Sequence, residues 1–224
     1  MELRISPTLL DAWDWYKRCP ASWKSRALDD IKAKINRAPF VETPAIRKGR
    51  AFEDAVEAVA ESVAAGGECK GSELFQSVVK RCLGGTWQTW QRGSLNVGED
   101  YDVVNSVGKL DVLFPIGHPQ KENGHIIDLK TTAKYRGQDK YLNGWQHKFY
   151  CHWMNIPTFD YIVAEWESAD LDNKTIQDVH VVQCEVNLFT IQEELRNGVR
   201  GFFAFLKTQG LWDSYLYVYS KNKR

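Results

Sequence analysis

Two apolar segments, each with one acid near its centre, constrain this chain more than any other feature. The first is Gly108-Lys109-Leu110-Asp111-Val112-Leu113-Phe114. The second is His125-Ile126-Ile127-Asp128-Leu129-Lys130-Thr131-Thr132. Both read as buried strands, and burying a charge is costly unless it is paired or binds a metal. In a strand, residues two apart share a face. Asp128 and Lys130 therefore project together, with Leu129 facing the core behind them. If the Asp111 strand lies alongside, two carboxylates and one ammonium meet at one spot. Oxygen donors so arranged suit a hard cation such as Mg²⁺ or Mn²⁺. A lysine beside them suits a reaction that builds negative charge, such as phosphodiester hydrolysis. An Asp-x-Lys triplet alone is common and usually marks a solvated strand edge. Here Ile126, Ile127 and Leu129 make a poor solvent-facing strand.

Composition narrows the class. The chain has 224 residues, nine of them tryptophan, and a formal net charge of zero. That length suits one domain, or a core with a small subdomain. A generic nucleic-acid binder is strongly basic, so any such contact here must come from a local patch. No apolar run reaches the ~18 residues of a membrane span, and the N-terminus lacks a signal-peptide core. Cys19, Cys69, Cys82, Cys151 and Cys184 are scattered, with no C-x-x-C pair. This argues against zinc sites and a disulfide framework and fits a reducing cytoplasm. No phosphate-loop or hydrolase-elbow motif is present.

Ser6-Pro7 predicts a helix start, and Cys19-Pro20 its end. Residues 21–45 read as a helical piece and a loop. Further helices are predicted over about 48–65 and 72–83, each closed by a Gly-Gly pair. Strands follow at about 86–92, 100–106, 108–115 and 124–131. A helix over about 138–154, strands at about 159–167 and 178–187, and a helix over about 190–208 complete the pattern. The aromatic tail (Trp212, Tyr215, Tyr217, Tyr219) reads as a last core strand or an oligomer contact. This order predicts an α/β fold with a central mixed sheet flanked by helices. We divide it into a helical part (about 1–85), a sheet core (about 86–187) and a C-terminal helix and tail (188–224).

Other candidate residues carry two readings each. Glu53 borders the apolar stripe of its helix and can point along the sheet edge. It can equally be a solvated partner of Arg50. Gln146 and Tyr150 share one helix face, where an amide and a phenol can bond phosphate or sugar oxygens. Tyr150 also reads as a core aromatic with its hydroxyl at the rim. Lys48 and Arg50, with Arg47, surround the start of the Glu53 helix. They form either a solvated face or a phosphate-tracking groove. Trp87, Trp90 and Trp145 can stack bases or pack the core.

The ordered set resembles the PD-(D/E)XK nuclease superfamily, in its RecB-like branch. The shared elements are Ser6-Pro7 through Cys19-Pro20, Gly49 to Glu53, Gly108-Lys109-Leu110-Asp111, Asp128-Leu129-Lys130, and Gln146 to Tyr150. Each is weak alone; their order and spacing across about residues 5–165 carry the resemblance. It implies a restriction-endonuclease-like core and a Mg²⁺-dependent deoxyribonuclease, with Mn²⁺ able to substitute. Asp111, Asp128 and Glu53 would hold the metal with the Leu129 carbonyl. Lys130 would orient water or stabilise the transition state, and Gln146 and Tyr150 would position the DNA. Some relatives hold an iron–sulfur cluster with one N-terminal and three C-terminal cysteines. Only Cys184 follows Cys151 here, so no cluster is expected.

A stand-alone chain of this size is similar to lambda-type phage recombination exonucleases. That likeness implies end-dependent DNA digestion, a possible trimer and a strand-annealing protein partner. The alternatives are a sequence-independent or structure-specific endonuclease of the same fold, and an inactive nuclease fold used as a binding module.

Overall fold

The computed structural model describes residues 2–39, 41–98, 103–168, 170 and 173–220. A six-stranded mixed sheet has the order β1-β3-β4-β5-β6, with β2 also paired to β3. Its strands are β1 (Glu2–Ile5), β2 (Thr86–Leu95), β3 (Val103–Phe114), β4 (His125–Thr132), β5 (Thr158–Trp166) and β6 (Ile176–Glu185). Helices α1 (Pro7–Arg18), α2 (Lys24–Ile35), α3 (Pro44–Ala64) and α4 (Glu73–Cys82) come before β2. Helices α5 (Asp139–Leu142) and α6 (Gln146–Met154) lie between β4 and β5, and α7 (Ile191–Thr208) and α8 (Trp212–Tyr219) follow the sheet. Among the described residues no helix is long and apolar enough to cross a membrane.

Long strand β3 organises the sheet. β2 runs antiparallel along one edge of it, from Val104 to Leu113. The other edge is shared. β1 takes its first residues in parallel, up to Ile5 opposite Ser106. β4 takes its last three, with Val112 opposite Ile127, Leu113 opposite Ile126 and Phe114 opposite His125. Residues 107–111 lie between these two partners, so the edge has a gap there.

Two cores cover the two faces. One contains Leu9, Leu10 and Trp13 of α1, Phe149 and Tyr150 of α6, Phe202 of α7 and Tyr215 of α8, against Leu110, Ile126 and Phe159. The other contains Phe52 and Val56 of α3 and Val78 of α4, against Val112, Ile127, Leu129 and Ile162. Alternation along β4 sends Ile126 to the first core and Ile127 and Leu129 to the second, as a period of two requires.

Local chemistry sets the helix ends. Thr43 Oγ1 accepts from Ile46 N (3.3 Å) with Pro44 at the first helical turn, so α3 starts earlier than the predicted residue 48. Ser72 Oγ likewise caps α4 through Phe75 N (3.3 Å). Four further expectations are corrected. The strands predicted at 100–106 and 108–115 are one strand from Val103, since Gly108 stays extended; residues 100–102 lie outside the described residues. The helix predicted over 138–154 breaks at Asn143–Trp145. The aromatic tail is helix α8, not a strand: Tyr215 packs on Phe202 and Phe203, and its hydroxyl donates to Arg4 O (2.5 Å). β1 joins the sheet from within the part read as helical.

Gly198 in α7 offers a test of packing. A Cβ there would lie 2.1 Å from the Trp145 ring. Gly198→Ala gains ~1 kcal/mol of helix propensity but overpacks a rigid buried ring, at a cost of ~1–3 kcal/mol or more. We expect a lower melting temperature by calorimetry; a higher one would mean the ring moves freely.

Candidate active site

The β3–β4 ladder stops one step before its acids would pair. Continued by one residue, the register would set Asp111 directly across from Asp128, where like charges repel. Instead of a ladder bond, Asp111 Oδ2 accepts from Leu129 N at 2.8 Å. The N–H and C=O of a strand residue leave on the same edge, so the Leu129 carbonyl faces the same gap. On the other side β4 stays paired in parallel with β5, Asp128 opposite Tyr161.

Asp128 is 2% exposed. Its Oδ1 accepts from Gln146 Nε2 (2.6 Å), and its Oδ2 forms an ion pair with Lys130. Burial pushes its carboxyl above the usual carboxylate range, opposed by Lys130 and Gln146. Asp111 is pushed up by burial and then by the negative charges of Asp128 and Glu53. Glu53, partly buried on α3, is also raised, chiefly by burial, with Lys130 opposing. Lys130 is raised despite burial, because Asp128, Asp111 and Glu53 all favour its charge. Three carboxylates thus gather around Lys130, with Lys109 acting on Glu53 alone.

Helix α6 holds this arrangement. Tyr150 Oη donates to Lys109 O (3.1 Å), across the gap in the β3 edge. Gly108 permits that approach, since a Cβ there would lie 2.4 Å from the Tyr150 ring. The hydroxyl of Tyr150 is pushed up to about 12, first by burial and then by Asp128. The start of α6 is fixed by α1. Asp11 Oδ1 accepts from Trp145 N (2.8 Å), and Asp14 Oδ2 from Trp145 Nε1 (2.9 Å). Burial raises Asp11 to about 6. Neither acid was singled out from sequence. The available signal was two acids flanking Trp13 on a helix whose neighbouring residues are apolar. His147 is buried against the Tyr161 hydroxyl (3.3 Å), and burial lowers it to about 4, so it stays neutral.

The predicted residues therefore separate. Asp111, Asp128, Lys130 and Gln146 converge, with Glu53 within electrostatic reach. Lys48 and Arg50 do not join them. Lys48 Nζ donates to Ser168 O (2.9 Å) and Asp170 O (2.8 Å) and lies over the Trp166 ring. Arg50 pairs with Glu42 at 2.9 Å. Trp145 is buried, whereas Trp90 is 68% exposed.

The donor set fits a hard divalent cation. Burial raises both carboxylates, Asp128 raises Asp111 further, and a backbone carbonyl faces the same gap. Among the described residues no three His, Cys, Asp or Glu side chains form a metal cage. Mg²⁺ does not require one, since it keeps several waters and binds through one or two carboxylates plus substrate phosphates.

No family model matches the sequence, and no curated protein matches it. Among solved structures, the chain is similar to a phage-related exonuclease from Haemophilus somnus 129PT. The identity is 11% and the TM-score 0.46, over 93% of this chain and 96% of that one. It is also similar to SSO0001, with 13% identity and a TM-score of 0.43, over 89% of this chain and 77% of the other. A third similarity is to Candida albicans Rai1 in complex with pU5-Mn²⁺, with 11% identity and a TM-score of 0.28, over 85% and 53%.

The raised acids give a sign for pH dependence. A carboxyl whose folded pKa exceeds its unfolded value stabilises the fold at low pH and loses that contribution as pH rises. Metal-free protein should therefore lose stability from Asp111 and Asp128 as pH climbs above ~4. Asp111→Asn keeps an acceptor for Leu129 N and removes the charge. At pH 8 it should raise the metal-free melting temperature by ~2–4 °C, on the order of 1 kcal/mol. It should also abolish any rise caused by Mn²⁺. A lower melting temperature with the Mn²⁺ response intact would contradict both statements.

Proposed function

We propose that this chain is a divalent-metal-dependent deoxyribonuclease of the PD-(D/E)XK type, hydrolysing phosphodiester bonds from DNA ends. One observation carries this reading: buried Asp128 and half-buried Asp111 meet where their ladder ends, with partly exposed Lys130 ion-paired to Asp128. Asp111, Asp128 and the Leu129 carbonyl would hold Mg²⁺, with Glu53 contributing negative charge or a water-bridged contact. The bound ion would supply Lewis acidity and lower the pKa of its water.

The chain's own groups do the rest. Gln146 fixes the Asp128 carboxylate through Oδ1, so its orientation does not depend on solvent. Lys130, half-exposed while Asp128 is buried, reaches the site's open side with a fixed positive charge. There it can orient the attacking water and stabilise charge building on the phosphate oxygens. The water oxygen joins phosphorus, one P–O ester bond breaks, and the leaving oxygen takes up a proton. Tyr150 acts as a positioning residue, because its hydroxyl is engaged by Lys109 O.

A second reading, an inactive fold that binds without cutting, draws on the absence of a three-acid cage among the described residues. Digestion of linear and covalently closed circular duplex DNA in Mg²⁺ tests both. We expect loss of the linear form alone, blocked by EDTA and reduced at least ~100-fold by Lys130→Ala, the scale of one lost electrostatic stabiliser. Cutting of both forms would indicate an endonuclease on the same chemistry. No cleavage in Mg²⁺ or Mn²⁺ would leave the binding module.

A further inference from the structure

We propose that the open face of the β1–β3–β2 ribbon is a phosphate-gripping track for a nucleic-acid strand, separate from the acidic pair. Its upper end is a cavity of about 620 Å³ where β1 ends beside β3. Arg4, Arg37 and Arg92 line it, together with Ser6, Ser94 and Asn105. No carboxylate is among its described lining residues. In a chain with as many acids as bases, three guanidinium groups gathered without an acid make a local positive patch. Arginine forks suit phosphate oxygens, and serine and asparagine side chains are common phosphate partners.

Register extends the patch into a track. Arg4, Asn105 and Ser94 are aligned across the three strands, and residues directly opposite share a face. Two residues along β3 on that face, Val107 stands opposite Arg92. Two further on, Lys109 stands opposite Trp90. Arg92, Val107, Lys109 and Trp90 are all exposed. Trp90 offers an indole face on which an unpaired base can stack. Lys109 precedes Asp111 by two residues, and its charge is felt at Glu53. At ~3.3 Å per residue, the path from Asn105 to Asp111 is ~20 Å long. A strand laid on it would meet arginines first, then an exposed ring, then Lys109, whose charge reaches Glu53. The phosphate grip follows from charge and register alone; only the direction of travel rests on the nuclease reading.

The test is binding without hydrolysis. Fluorescence anisotropy of a labelled single-stranded oligonucleotide, in EDTA and over a range of salt, compares wild type with Arg4→Ala/Arg92→Ala. Arg81→Ala on α4 serves as a control away from the track. We expect at least a ~10-fold loss of affinity for the double variant and a salt slope shallower by ~1.4, at ~0.7 per phosphate contact. The control should change neither, and all melting temperatures should match. Because EDTA prevents cleavage, failure here is distinguishable from failure of the nuclease reading. Unchanged affinity and slope in the double variant, or an equal loss in Arg81→Ala, would overturn the track. So would a cavity that binds inorganic phosphate while the double variant keeps full oligonucleotide affinity.

Discussion

One shared edge of β3 governs the molecule. β1 and β4 each cover part of it, and residues 107–111 lie between them. Exposed or buried, a strand edge leaves backbone groups that need partners. Side chains supply them here: Asp111 takes Leu129 N–H, and Tyr150 donates to Lys109 O. The acids therefore converge as part of how the sheet closes a break in its own ladder. A continuous β3–β4 ladder would set Asp111 and Asp128 in direct opposition with no room between them.

Electrostatics follows from that geometry. Burial raises both aspartates, and the charges of Asp128 and Glu53 raise Asp111 further. Lys130 offsets part of this, and Gln146 contributes a neutral donor that does not cancel the charge. The residue is a pocket of negative charge held by rigid elements. Such a site favours a cation over a third buried acid, since each added carboxylate would raise the desolvation cost further. Glu53 stands near enough to sense the pair while staying on a separate helix, and this limits that cost.

Much of this was legible in sequence. A lone acid in Leu110–Phe114 and another in Ile126–Lys130 were visible because apolar neighbours made a solvated reading poor. Strand period placed Asp128 and Lys130 together, and helix period joined Gln146 to Tyr150. What sequence could not show was long-range. Lys48 looked like a groove residue, yet it is tied to the carbonyls of Ser168 and Asp170, more than a hundred residues away. Asp11 and Asp14 looked like ordinary helix acids, because their partner Trp145 is equally distant in the chain. The tail's alternating aromatics imitated a strand, and only packing of Tyr215 on Phe202 and Phe203 settles it as a helix. Gly108 looked like the start of a separate strand; it lies inside one long strand and admits a ring.

The bracing of α6 by α1 has a kinetic consequence. The β3–β4 hairpin is local and closes across a short loop, so it can form early. Its neighbour Gln146 is oriented by a helix whose start is pinned from residues 11 and 14. Contacts of that sequence separation form late, after the entropy of closing a long loop has been overcome. During synthesis the acidic hairpin therefore emerges before the structure that steadies it is complete. The first helix, made first, waits for the middle of the chain before it has anything to hold.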